Sequence, residues 1–194
     1  KGVIQDTELA EDDWDGLIKN FKEVVKQKTK KDFPQNVNEQ LWGAVSAVFL
    51  SWNSKRAKIY RKINYIPDHW GTAVNIQAMV FGNMGNDCAT GVAFTRNPST
   101  GKKELFGEFL INAQGEDVVA GTRTPKNLLT MHKFMPKIFR QLKKIFKQLE
   151  IKYKDMQDIE FTVENNKLWM LQTRSGKRTS KAAIKIAVDM VKEK

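Results

Sequence analysis

Between Gln157 and Thr173 polar and apolar residues alternate at almost every step, broken once by Asn165-Asn166. Ahead of the break, Ile159, Phe161 and Val163 fall on one side of an extended chain, and Asp158, Glu160, Thr162 and Glu164 on the other. After it, Trp169, Leu171 and Thr173 alternate with Leu168, Met170, Gln172 and Arg174. A period of two on both sides of a turn signal demands an antiparallel hairpin with one dry face, and so excludes an all-helical fold.

The hairpin register depends on the turn. A two-residue Asn-Asn turn pairs Val163 with Leu168 and Ile159 with Gln172, which buries an amide among aliphatics. A three-residue loop moves the second strand by one and turns every side chain over. Ile159, Phe161, Val163, Trp169 and Leu171 then share one apolar face, and asparagine tolerates the left-handed backbone that such a loop needs. We therefore expect the three-residue loop, with Asp158, Glu160, Met170, Gln172 and Arg174 gathered on the opposite face. Two carboxylates on one strand with an amide opposite form an all-oxygen set suited to Mg²⁺. Arg174 beside them repels a divalent cation unless phosphate lies between. Magnesium and a cationic side chain on the same polyphosphate recur in phosphoryl transfer. Met170 and Leu168 would then form an apolar floor beneath a base. The same alternation also fits an ordinary solvated hairpin with cross-strand pairs, and the pattern alone leaves both readings open.

The rest of the chain changes period once. Helical spacing predicts a first helix from Asp12 to about Lys31, with Trp14, Leu17, Ile18, Phe21, Val24 and Val25 on one side. A second is expected from about Asn38 to Trp52, and a short third over Ala57 to Asn64. Ile66-Pro67-Asp68 marks a boundary, after which the pattern is that of strands. These are expected at Ala73 to Phe81, Val92 to Thr95 and Glu104 to Asn112, the last two joined around Pro98-Ser99-Thr100-Gly101. A helix is expected from Pro136, where proline suits a first turn, to about Tyr153, with Lys143, Lys144 and Lys147 in water.

Two loops are weaker candidates. Gly82 to Gly91 has the glycines to turn backbone N–H groups towards a phosphate, and Thr90 adds a hydroxyl, but no Gly-Lys-Ser/Thr ends it as in a P-loop. Glu116 and Asp117 follow Gln114-Gly115 in a second loop, where acids commonly serve as caps or stay solvated.

Composition removes some classes. The net charge of +11 invites a nucleic-acid reading, yet only 7 of the 33 cationic residues are Arg. Base-edge readers favour Arg forks, and scattered Lys makes a solvated face, so no nucleic-acid partner is expected. No apolar run approaches a membrane span. A single cysteine, Cys88, forms no internal disulfide, and a cytoplasmic location is the expectation. Lys1 in place of an initiator Met, and the charged helix through Met190-Val191-Lys192-Glu193-Lys194, suggest a piece of a longer protein.

Several strings then point to a family. They are Asn75-Ile-Gln-Ala-Met-Val-Phe-Gly-Asn83, Gly91-Val-Ala-Phe-Thr-Arg-Asn-Pro-Ser-Thr-Gly101 and Ile111-Asn-Ala-Gln-Gly-Glu-Asp-Val-Val-Ala-Gly121. With Asp158-Ile-Glu-Phe161 and Leu171-Gln-Thr-Arg-Ser-Gly-Lys-Arg-Thr179, they run in order along nearly the whole chain and resemble the pyruvate phosphate dikinases. The resemblance implies an α+β, partial ATP-grasp fold. It divides into a helical part at 1–70, a strand-rich lobe at 71–179 and the start of a linker helix at 180–194. It implies conversion of ATP, phosphate and pyruvate to AMP, pyrophosphate and phosphoenolpyruvate, in a homo-oligomeric enzyme whose swinging phosphohistidine domain lies outside this chain. By motif, Asp158, Glu160 and Gln172 match metal and phosphate residues, and Arg174 the phosphate-binding Arg; Glu160 and Arg174 would be catalytic. Thr90 and Gly91 fall in a phosphate-covering loop, and Glu116 and Asp117 in an acidic loop at the nucleotide. Gln77 to Met79 resembles the hinge lining the adenine pocket, with Met170 also at the nucleotide. Ala89 stands where the family commonly has Gly, which is expected to stiffen the covering loop. His69 and His132 lack the glycine-rich context of the acceptor and read as surface residues. Another dikinase such as phosphoenolpyruvate synthase, or a non-catalytic nucleotide-binding module, remains the alternative.

Overall fold

The computed structural model describes residues 9–121 and 123–193. Lys1 and Lys194, on which the reading of a cut piece partly rests, lie outside them. The chain divides after Gln77 into two units.

The first unit is helical. α1 (Glu11–Thr29) opens with Glu11, Asp12 and Asp13 and closes with Lys26 and Lys28, which suits the helix dipole at both ends. α2 (Val37–Ser51) is capped by the Asn36 side chain, which accepts from the Asn38 and Glu39 N–H groups. α3 (Lys55–Ile63) is capped by Ser54. Arg61 is its one buried residue, stacked 4.0 Å from the Trp52 ring and bonded to Asp68 through Nε at 2.6 Å. The three helices lie within two residues of where their apolar spacing predicts them.

The second unit is a five-stranded antiparallel sheet with helices on it. In chain order its elements are β1 (Ala89–Phe94), β2 (Phe106–Ile111), α4 (Gly115–Ala120), β3 (Lys126–Asn127), α5 (Met131–Phe134), α6 (Pro136–Tyr153), β4 (Gln157–Glu164), β5 (Lys167–Ser175) and α7 (Ser180–Lys192). The strand order is β3-β2-β1-β4-β5, so the predicted hairpin forms one edge of the sheet. Helices and an antiparallel sheet together make the chain α+β.

One side of the sheet is dry. Ala89 and Ala93 of β1, Phe109 of β2 and Ile159, Phe161 and Val163 of β4 pack with Ile138, Leu142 and Phe146 of α6. Burying each large side chain of this kind contributes roughly 1.5–3 kcal/mol. A second cluster holds α7, whose Ala182 and Ile186 rest on Met156 and Phe94.

Three expectations need correction. Residues 72–81 form no strand. Among the described residues their backbone makes no ladder bonds, and Phe81 N–H donates to the Glu164 carboxylate at 2.8 Å. Alternation here lacks a neighbouring strand, without which extended backbone is not a strand. The loop expected from Gln114 is instead α4, because the Asp117 carboxylate accepts from Gln114 N–H at 2.8 Å and caps it. Finally, Thr90 and Gly91 lie inside β1, not in a loop, and Ala89 is fully buried in the main core.

Candidate nucleotide and metal site

The pairing of β4 with β5 decides which side chains share the open face. The turn between them is two residues long. Asn165 and Asn166 have φ of 48° and 59°, the paired left-handed conformation that type I′ turns require. The expected three-residue loop is therefore overturned, and beside the turn Val163 pairs with Leu168, Thr162 with Trp169 and Phe161 with Met170. Met170 consequently packs towards the core with Phe161 instead of lying on the open face as a floor for a base.

One residue further on, the ladder slips. Phe161 faces Met170, but Glu160 faces Gln172, leaving Leu171 as a β-bulge without an opposite number. Beyond the bulge Ile159 pairs with Thr173 and Asp158 with Arg174. The bulge thus restores, for the outer half of the hairpin, the pairing that a longer loop would have given. It also resolves the objection to a two-residue turn, because Gln172 leaves the aliphatic side.

Antiparallel partners point to one side of a sheet, so the register maps the open face. Its central row runs Asn127, Glu108, Val92, Glu160, Gln172, and the row beside it runs Phe106, Phe94, Asp158, Arg174. Arg174 Nε donates to Asp158 Oδ2 at 2.8 Å, and its Nη2 lies 3.6 Å from Glu160 Oε1. The hydrogen bond to Asp158 raises the Arg174 pKa above its ordinary value, with the Asp158 and Glu160 charges acting the same way. Asp158 is nearly covered, whereas Glu160 is half-buried and Gln172 and Arg174 are exposed. One side of the constellation is therefore set into the sheet and the other opens to solvent.

Among the described residues no three His, Cys, Asp or Glu side chains are placed to hold a metal ion. Mg²⁺ does not require such a cage. It keeps several waters and takes one or two carboxylates together with substrate phosphates. Asp158 and Glu160 with the Gln172 amide fit that donor set. Arg174, tied to both carboxylates, fits a neighbouring phosphate better than a bare cation.

Of the other predicted site residues, Thr90 lies on the same face as Glu160, one row along and paired with Thr162. Gln77 and Met79 lie on irregular backbone, and each is exposed. Thr90 is buried, its hydroxyl 3.4 Å from both Phe161 O and Thr162 Oγ1. Gly91 is glycine for packing: a Cβ there would stand 2.6 Å from Glu108 O and from the Phe161 ring. Glu116 is exposed on α4, and Asp117 is occupied as its cap. His69 and His132 are both exposed. Glu108, which is not among the residues expected at the site, shares the central row two strands from Glu160. An acid inside the apolar run Phe106-Gly-Glu-Phe-Leu-Ile111 was the signal for it.

An antiparallel sheet carrying two carboxylates, an amide and a guanidinium on its open face has groups chemically suited to magnesium and phosphate oxygens. Comparison with known proteins gives the family. Residues 33–140 and 131–194 match the family described as pyruvate phosphate dikinase, AMP/ATP-binding domain. The pyruvate, phosphate dikinase of Rhizobium meliloti (strain 1021) is 58% identical over 204 residues, covering 99% of this chain and 23% of its own length. That of Clostridium symbiosum is 55% identical over 194 residues, with 100% and 22% covered. The chloroplastic enzyme of Flaveria pringlei is 59% identical over 193 residues, with 100% and 20% covered. The chain belongs to the pyruvate phosphate dikinase AMP/ATP-binding domain family, and it spans about a fifth of the length of these relatives. Among the described residues no helix is long and apolar enough to cross a membrane.

Proposed function

We propose that this chain is the ATP-binding part of a pyruvate phosphate dikinase, of the ATP-grasp type, and that its nucleotide site centres on the outer half of the β4–β5 hairpin. The observation that carries the reading is the Leu171 bulge, which sets Gln172 opposite Glu160 and Arg174 opposite Asp158. In the longer enzyme it phosphorylates a histidine on a swinging domain, using ATP and phosphate, ahead of transfer to pyruvate. The helical part at 1–70, the strand-rich lobe at 71–179 and a linker helix from 180 are the working divisions, and a homo-oligomer is the expected assembly. A cytoplasmic or other reducing compartment suits the lone buried thiol of Cys88; the plant relatives are described as chloroplastic.

Asp158, Glu160 and Gln172 would hold Mg²⁺, which when bound supplies charge neutralisation on the polyphosphate. The protein's own share is positional and electrostatic. Asp158 anchors Arg174 through a hydrogen bond made within the sheet, so the guanidinium waits in place and its remaining donors meet the phosphoryl oxygens. Gln172 is neutral and orients without adding repulsion between the acids. His69 and His132 have no part in the chemistry.

In a full-length dikinase carrying this domain, Glu160→Ala abolishes phosphorylation of the histidine by ATP and spares phosphoryl exchange with pyruvate. Equal loss of both half-reactions refutes the assignment. The isolated chain acquires no phosphate from ATP, and a labelled His69 or His132 would contradict that expectation.

A further inference from the structure

A groove distinct from the open face runs between α6 and α7. It encloses about 920 Å³, and none of Asp158, Glu160, Gln172 and Arg174 lines it. From α6 it takes Lys143, Phe146, Lys147, Glu150 and Ile151, a single helical stripe at three- and four-residue steps, and Lys154 follows just past the helix end. From α7 it takes Ala183, Ile186, Ala187, Met190 and Val191, a second stripe with the same spacing. The α6 stripe is about 12 Å long at the helical rise of about 1.5 Å per residue, a little over two turns. Two helical stripes turned towards one gap are two sides of a three-helix contact.

The charge of the groove is one-sided. Its acids are already engaged: Glu150 and Glu193 both hold Arg96, and Asp155 holds Arg178. Glu193 also takes Lys103, and Glu104 accepts from the Asn97 amide. Lys143, Lys147 and Lys154 have no carboxylate partner among the described residues, so the rim is positive. Inside that rim Ile151 and Val191 are 67% and 70% exposed, apolar side chains without cover. A second copy of the chain is a poor occupant, because it brings the same lysines to a two-fold contact. A small anion would satisfy the rim and leave Ile151 and Val191 wet.

We propose that this groove docks an acidic amphipathic helix of about two turns, contributed by a segment of the same polypeptide outside residues 1–194. The apolar stripe of that helix meets Ile151, Met190 and Val191, and its Asp and Glu flank meets Lys143 and Lys147, the helix-in-groove mode of recognition. The source in the same polypeptide rests on the dikinase reading, since the relatives run to about five times this length; the charge and shape of the groove do not depend on it.

The test has two arms. A synthetic peptide built on Leu-Glu-Glu-Ile-Leu-Glu-Glu repeats and a scramble of the same composition are titrated against the chain by fluorescence anisotropy. The amphipathic peptide binds at least tenfold more tightly than the scramble. Lys143→Glu/Lys147→Glu weakens it at least tenfold, and Ile151→Glu/Val191→Glu abolishes binding, both without moving the melting temperature, since all four side chains are exposed. Equal binding of the scramble, or dimerisation of the chain that Ile151→Glu/Val191→Glu abolishes, overturns the proposal. In the second arm, hydrogen exchange of α6 and α7 is compared between the chain and a full-length dikinase carrying it. Protection in the full-length protein is expected. Equal exchange in both overturns the docking of a segment of the same polypeptide. Failure of either arm leaves the open-face site untouched, and the Glu160→Ala experiment leaves the groove untouched, so the two readings fail separately.

Discussion

Replacing Arg96 with Met removes the guanidinium that ties α7 to α6. Arg96 is 1% exposed, and two carboxylates grip it. Its Nε and Nη2 donate to Glu150 at 2.9 and 3.0 Å, and its Nη1 and Nη2 to Glu193 at 3.2 and 2.8 Å. Burial opposes the charge on Arg96, but the hydrogen bonds to Glu193 and Glu150 outweigh it and raise its pKa. In Arg96→Met, Glu193 keeps Lys103 and is 34% exposed, so it turns to water. Glu150, 12% exposed, is left as a charge without a cation. Breaking a buried pair from one side costs about 3–5 kcal/mol, and with one acid able to hydrate, the lower end of about 3 kcal/mol applies. A melting shift of roughly 6–12 °C follows.

The pH dependence gives the sharper reading. The hydrogen bonds from Arg96 and then Lys103 lower the Glu193 carboxyl from 4.5 to about 2. A depressed acid stabilises the fold fully above its ordinary pKa, and that contribution is lost as pH falls through the native value. Wild type therefore loses this attachment between about pH 4.5 and 2. Arg96→Met keeps only Lys103 on Glu193 and so has little of this attachment to lose, and the two stability curves converge in acid. Urea unfolding across pH 3 to 7, with Arg96→Met/Glu150→Gln alongside, measures this. A destabilisation below about 1 kcal/mol at neutral pH, no relief from Glu150→Gln, or a gap that ignores pH refutes the reasoning.

Deleting Leu171 removes the bulge residue and, by register count, leaves Glu160 opposite Gln172 and Asp158 opposite Arg174. Leu171 is 40% exposed, so the deletion costs only about 1–2 kcal/mol in urea titrations, and the chain still folds. Collapse of the fold would show that the bulge is not what reconciles turn and site. Gly91→Ala presses a methyl group to 2.6 Å from Glu108 O and the Phe161 ring, and destabilises by about 2–3 kcal/mol in the same assay. Stability within about 0.5 kcal/mol of wild type would place the reason for that glycine elsewhere.

These residues show how far the sequence could be read. β4 spans Gln157–Glu164 and α6 spans Pro136–Tyr153, as their periodicity predicts, because one buried face and an N-terminal proline are local signals. The pairing of Asp158 with Arg174 and of Glu160 with Gln172 was legible for a reason that proved incomplete. A clean apolar face implies a longer loop, whereas the structure reaches the same outer pairs with a short turn and a bulge. Periodicity cannot tell these apart, since both shift the register by one. The same ambiguity puts Met170 on the open face, whereas it packs with Phe161. Residues 73–81 alternate as well as any strand, but pairing depends on a partner brought from elsewhere in the chain. Gly91 reads as loop chemistry because a glycine needed for room looks, in one sequence, like a glycine needed for φ.

The most direct test of the central claim is calorimetric titration of the chain with a non-hydrolysable ATP analogue, with and without Mg²⁺, beside Glu160→Ala/Gln172→Ala. Magnesium-dependent binding that the double variant loses is the predicted result. Equal binding by both proteins, or binding indifferent to magnesium, would contradict a metal–phosphate site on the outer half of the β4–β5 hairpin.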